Sequence, residues 1–223
     1  ILSGLVGSEM CIRDRREAIA QHYPQHGIFG EEFGALHTEA ELVWSLDPID
    51  GTRAFISGNP LWGTLLALLH RGRPVLGLID IPMLQERWIG AADSPARLNG
   101  EICQASACTE LRNAILYATS PDIFEGAELA AFDALTGAAR MCRYGGDCYS
   151  YGLLASGHVD LVVEAGLQPY DYLALMPVIE GAGGVITDWS GQPLSLESQG
   201  RVVAAATPQL HRQAMRVLGA AMT

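Results

Sequence analysis

The stretch Leu42-Val43-Trp44-Ser45-Leu46-Asp47-Pro48-Ile49-Asp50-Gly51-Thr52 constrains this chain more than any other. Leu42 to Leu46 reads as a buried strand, because a short apolar run bounded by turn residues suits a strand with both faces covered. Pro48 has no N–H to donate and is expected to end the ladder pairing. Gly51 permits a tight bend and leaves backbone N–H groups uncovered. The run therefore delivers two carboxylates, Asp47 and Asp50, into a turn. Such a turn suits a divalent cation holding an anion, above all a phosphate. The same residues also suit an ordinary polar turn after a strand.

Composition narrows the choices. At 223 residues, 49% apolar and 17% charged, the chain can bury a sizeable core. A net charge of −11 argues against nucleic acid as a partner. It also means that any phosphate must be met through cations that reverse the local sign. No apolar run is long enough to span a membrane. The five cysteines, Cys11, Cys103, Cys108, Cys142 and Cys148, show no Cys-x-x-Cys spacing. They read as reduced thiols of a cytoplasmic protein.

Taken in order, Arg16 to Tyr23 suits a short helix ended by Pro24 and Gly27. Gly30-Glu31-Glu32 reads as a solvated loop. Arg53 to Pro60 is expected to be a loop, broken by Gly58, Asn59 and Pro60. Leu61–His70, Pro74–Ile81 and Glu86–Gly90 read as consecutive strands of an antiparallel meander. After residue 112 the pattern changes to alternating strands and helices. Strands are expected at Ala114–Thr119, Val159–Val163, Val185–Thr187 and Val202–Ala206. Helices are expected at Glu125–Leu135, Cys148–Ser156, Tyr172–Glu180 and Pro208–Met222. Glu164 follows a strand, where exposure without function is one reading and a ligand edge another. Gly145-Gly146 is either a turn or an anion cradle, and Asp171 suits a helix cap.

Three motifs in this order resemble the inositol monophosphatase family. They are Gly30-Glu31-Glu32, Asp47-Pro48-Ile49-Asp50-Gly51-Thr52, and Pro169-Tyr170-Asp171 ahead of Glu180-Gly181-Ala182-Gly183-Gly184. The histidinol-phosphate phosphatase branch is the closer match. Its sequences are similar to Gly51-Thr52-Arg53-Ala54-Phe55-Ile56-Ser57-Gly58, Leu61-Trp62-Gly63-Thr64-Leu65, Gly77-Leu78-Ile79-Asp80, Glu86-Arg87-Trp88-Ile89-Gly90 and Tyr144-Gly145-Gly146-Asp147-Cys148-Tyr149. The resemblance runs from about Arg16 to the C-terminus.

The resemblance implies an α/β chain with a layered αβαβα sugar-phosphatase fold. It implies an antiparallel sheet in the N-terminal half and a mixed or parallel sheet in the C-terminal half. Residues 15–112 and 113–223 then form one phosphatase unit. It implies hydrolysis of L-histidinol phosphate, with inositol 1-phosphate or another small phosphate as the alternative substrate. The cofactor is Mg²⁺, two or three ions, with Li⁺ as an inhibitor. Glu31, Asp47 and the Ile49 carbonyl would hold one ion, and Asp47, Asp50 and Asp171 a second. Thr52, Asp47 and Glu31 would be catalytic. Gly51 and Thr52 would bind phosphate, with Gly146, Asp147, Glu164 and Asp171 at phosphate and substrate. An acidic pocket suits the charge of histidinol. A homodimer is expected, acting on a small phosphorylated substrate. A haloacid-dehalogenase-type phospho-aspartate enzyme fits less well, because Pro48 and Ile49 separate the acids. The start departs from the family, which carries about fifty more residues there, among them an Asp that supports the catalytic Thr. Ile1 to Asp14 is therefore expected to be foreign sequence on a truncated domain, and a silent binding protein stays open.

Overall fold

A computed structural model describes residues 16–31 and 34–221. The stretch expected to be foreign, with Glu32 and Phe33, lies outside these described residues.

A helix covers residues 16–22 (α1). The first sheet then runs in chain order through seven strands: β1 (Gly27–Gly30), β2 (Leu42–Asp50), β3 (Gly63–His70), β4 (Arg73–Ile81), β5 (Glu86–Ala91), β6 (Arg97–Leu98) and β7 (Glu101–Ile102). From β2 onward every pair is antiparallel, as the alternation and tight turns imply. β1 pairs parallel to β2, so this sheet is mixed and not purely antiparallel. The intervening segment allows it: the chain turns back, Leu36 bridges Ile28, and β2 enters alongside β1 in the same direction.

The second sheet has the order β11–β12–β10–β8–β9, built from β8 (Ile115–Ala118), β9 (Met141–Tyr144), β10 (Leu161–Glu164), β11 (Val185–Asp188) and β12 (Val202–Ala205). β8 lies parallel to both β9 and β10, whereas β12 is antiparallel to β10 and β11. Strand side chains alternate between faces, and the two faces of this sheet serve different cores. Val162, Val202 and Ala204 join one cluster with Leu65, Leu69 and Ile79 of the first sheet. Leu161, Val163, Val203 and Ala205 join the other, with α3 (Ala127–Ala138) and α7 (Pro208–Ala221). Between the sheets lie α4 (Asp147–Ala155) and α6 (Leu175–Gly181), the latter packed on β4 and β5. Gly90 makes that approach possible, since a Cβ there would collide with the Pro177 carbonyl.

Four local expectations are corrected. The segment from Arg53 is not a loop but a helix, α2 (Thr52–Ser57), framed by the left-handed residues Gly51 and Gly58. Its breakers mark where the helix stops. Pro48 does not end β2: pairing with β3 slips between Asp47 and Asp50 and resumes. The Pro48 carbonyl instead accepts the Thr64 hydroxyl at 2.9 Å. Gly30, read as the start of a solvated loop, instead closes the strand β1. The helix expected over Tyr172–Glu180 is split into α5 (Pro169–Tyr172) and α6, with Pro177 tolerated in the first turn of α6.

Candidate active site

The slip in β2 creates the site. Asp47 stays almost wholly buried at 2% exposure, and the Ile49 N–H turns back to donate to its Oδ1 at 3.0 Å. Gly51, at φ 79°, then starts α2. The N–H groups of a first helical turn have no intrahelical acceptor, so that end is open to an anion. The Thr52 hydroxyl donates to the Ile49 carbonyl at 3.2 Å. Asp50 Oδ2 accepts the Cys148 N–H at 2.7 Å, which ties the end of β2 to the start of α4. From the other half, Asp171 in α5 accepts the Gln168 N–H at 2.7 Å. It acts as a cap and also faces the cluster.

Carboxylate oxygens of Asp47, Asp50 and Asp171 all lie within 4.8 Å of one another. Glu31 directly follows β1, its N–H reaching the Leu46 carbonyl at 3.4 Å. Its carboxyl is pushed up by burial, eased by a hydrogen bond to Asp47 and raised again by Asp50. Burial, then Asp50, Glu31 and Asp171, push Asp47 to about 10. Asp171 rises to about 7, chiefly by burial. Asp50 and Glu31 raise both Asp47 and Asp171, and neither of these draws relief from a basic side chain. That is the electrostatic signature of a site that needs added positive charge. The donors are all hard oxygens, so the residues present fit Mg²⁺.

Beside the cluster is a cavity of about 180 Å³, lined by Asp50, Asp147, Glu164, Asp171, Thr119 and Tyr151 among others. Asp147 opens α4 at φ 42°, an unusual value for a residue with a side chain. Its side chain faces Gly51, where an added Cβ would sit 3.2 Å from it. Burial and Asp50 push Asp147 to about 6, with Arg53 pulling the other way. Glu164 is 1% exposed, so the expectation that it is exposed is corrected. Its Oε1 accepts the Thr119 N–H at 2.8 Å, and burial pushes it to about 8. Gly146 precedes α4 but does not line the cavity. A larger cavity of about 630 Å³, around Asp188, Trp189 and Arg201, lies away from the carboxylates.

Sequence reasoning missed Cys148, Thr119 and Tyr151 as parts of this site. The spacing from Asp147 to Tyr151, one helical turn, is the signal that places Tyr151 on the same face.

Comparison with known proteins agrees with the geometry. The chain is 49% identical over 209 residues to the bifunctional phosphatase IMPL2, chloroplastic, of Arabidopsis thaliana, covering 90% of this chain and 60% of that protein. It thus spans less than two thirds of that relative's length. It is 35% identical over 190 residues to a histidinol-phosphatase of Chlorobaculum parvum, covering 85% of this chain and 73% of that one. A solved structure of an inositol monophosphatase from Zymomonas mobilis superposes with a TM-score of 0.91 at 45% identity, covering 95% of this chain and 82% of that one. A family model described as "Inositol monophosphatase family" matches residues 8–222. The chain belongs to the inositol monophosphatase family.

Proposed function

We propose that this chain is a Mg²⁺-dependent phosphomonoesterase that hydrolyses L-histidinol phosphate to L-histidinol and phosphate. The observation that carries this reading is the cluster of Asp47, Asp50 and Asp171, two of which, Asp50 and Asp171, also line a cavity with Asp147 and Glu164. Glu31, Asp47 and the Ile49 carbonyl hold one ion, and Asp47, Asp50 and Asp171 a second. When bound, such ions supply Lewis-acid stabilisation of charge on the phosphate and on the attacking and leaving oxygens.

The chain's own groups do the positioning. The Gly51 and Thr52 N–H groups receive phosphate oxygens at the start of α2. Thr52 commits its hydroxyl proton to the Ile49 carbonyl, which leaves its lone pairs to accept a hydrogen bond from the attacking water. Glu31 carries a proton away from that water. Hydrolysis forms a bond from the water oxygen to phosphorus and breaks the ester P–O bond. One water proton ends on the departing alcohol and the other on phosphate. Asp147 and Glu164 face the alcohol, and their acidity suits a cationic one. Similarity to a histidinol-phosphatase supports this substrate.

Inositol 1-phosphate is the second reading, favoured by the 45% identity to the Zymomonas mobilis inositol monophosphatase. Phosphate release from the two esters, measured side by side with and without Mg²⁺, separates them. Li⁺ is expected to inhibit. A homodimer in the cytoplasm completes the proposal; the free Cys103, Cys108, Cys142 and Cys148 are in keeping with a reducing compartment. Among the described residues no helix is long and apolar enough to cross a membrane.

A further inference from the structure

Two polar atoms in the cavity wall are buried with no hydrogen-bond partner: the Tyr151 hydroxyl and Glu164 Oε2. Tyr151 is 2% exposed and Glu164 1%, and both line the cavity beside the carboxylate cluster. Leaving such groups unpaired costs their full desolvation, and native proteins seldom leave them so. Each group is also held in place. Thr119 fixes the other Glu164 oxygen at 2.8 Å, which leaves Oε2 as the available acceptor. Tyr151 stands one helical turn beyond Asp147 on α4, so both project from one face. Burial, and after it Glu164, push the Tyr151 phenol well above its ordinary value, so it stays neutral.

The lining carries four acids, Asp50, Asp147, Glu164 and Asp171, and no Lys, Arg or His. Two of them face the proposed cation site, which leaves Asp147 and Glu164 to meet the alcohol side of the ester. A protonated nitrogen there would favour the ionised forms of both carboxyls, which a neutral polyol would not.

We propose that Tyr151 is a specificity-determining residue: its hydroxyl and Glu164 Oε2 together receive the N–H groups of a protonated nitrogen on the substrate's alcohol moiety. This deepens the phosphatase reading above and rests on it. Nothing in the motif pattern assigns Tyr151 a role. The pair supplies two acceptors at fixed positions, so it reads both charge and placement of the nitrogen. A hydroxyl brings one donor and no charge to this pair, whereas a protonated amine brings three donors and a full positive charge.

The test compares the full-length wild type with Tyr151→Phe, both saturated with Mg²⁺. Calorimetry measures binding of L-histidinol itself in the presence of inorganic phosphate, independent of turnover. Steady-state kinetics follow phosphate release from L-histidinol phosphate and from glycerol 2-phosphate, which has no nitrogen. Phe keeps the ring and drops an unpartnered hydroxyl, so the variant is expected to melt at or above the wild-type temperature. The expected result is about tenfold weaker L-histidinol binding, the scale of one hydrogen bond to a charged group. The KM for L-histidinol phosphate is expected to rise about tenfold relative to any change for glycerol 2-phosphate. Equal shifts for the two esters, or unchanged L-histidinol binding, would overturn the inference. Wild-type protein that hydrolyses glycerol 2-phosphate but binds no L-histidinol also overturns it, while the phosphatase reading stands. Wild-type protein that binds L-histidinol through Tyr151 yet releases no phosphate supports the inference and sinks the phosphatase reading.

Discussion

The carboxylates of Asp47 and Asp171 come within 4.8 Å of each other, one near the end of β2 and the other in α5. They are brought together from opposite halves of the chain; Asp171 makes Asp47 harder to ionise, while a hydrogen bond to Asp47 eases Asp171. In a metal-free protein this is a standing repulsion. Asp47→Asn removes the most deeply buried charge of the set and keeps an oxygen for the Ile49 N–H. The variant is expected to lose Mg²⁺-dependent phosphate release by at least about a hundredfold, since changes merely next to a metal ligand already cost 10–100-fold. In excess EDTA at pH 8 it is expected to melt higher than the wild type. Opposite effects on activity and metal-free stability separate a ligand from an ordinary core residue.

The pH dependence of stability follows from the same raised pKa values. In the unfolded chain Asp and Glu titrate near 4. In the fold Asp147 is pushed to about 6, Asp171 to about 7, Glu164 to about 8 and Asp47 to about 10. Between those limits the folded state binds more protons than the unfolded state. Stability contributed by these groups is therefore full below pH 4 and declines as pH rises through the folded values. Thermal melts in EDTA from pH 5 to pH 8.5 should show a falling Tm, with each kcal/mol lost lowering it by about 2–4 °C in a chain of this size. Saturating Mg²⁺ should flatten the slope, because bound cations replace the protons.

Thr52 is exposed, and its hydroxyl makes one hydrogen bond, to the Ile49 carbonyl. Thr52→Ala is thus expected to alter stability by no more than about 1 kcal/mol. Positioning of the attacking water is a larger matter, and kcat is expected to fall by about 10²–10³-fold. Thr52→Ser restores the hydroxyl and should stay within about tenfold of wild type. A paired melt and initial-rate measurement on the two variants checks this.

Gly51 is constrained twice. Its φ of 79° disfavours any side chain, at about 1–2 kcal/mol, and a Cβ would stand 3.2 Å from Asp147. Gly51→Ala should lower the Tm by several degrees. It should also raise KM, because the same bend aims the N–H groups of α2 and the Asp147 side chain.

The spacing of Asp47, Asp50, Gly51 and Thr52 was legible because it is local: one strand end carries them all. The two-sheet α/β architecture was legible from the change of pattern near residue 112. Glu31 and Asp171 entered only through family resemblance, since their approach depends on β1 lying parallel to β2 and on α5 reaching across. β1 itself was missed, being four residues with a glycine at each end. α2 was hidden because Gly58, Asn59 and Pro60 dominate the local composition while the helix lies just ahead of them. Pro48 misled because a slipped register accommodates a residue without an N–H. The depth of Glu164 is a fact of packing between β10 and α4, and no short-range pattern carries it.

The most direct test measures phosphate release from L-histidinol phosphate and inositol 1-phosphate, side by side, with Mg²⁺ and in EDTA. The expected result is Mg²⁺-dependent release with a clear preference for L-histidinol phosphate. Release from neither ester in the presence of Mg²⁺, or release undiminished by EDTA, would contradict it.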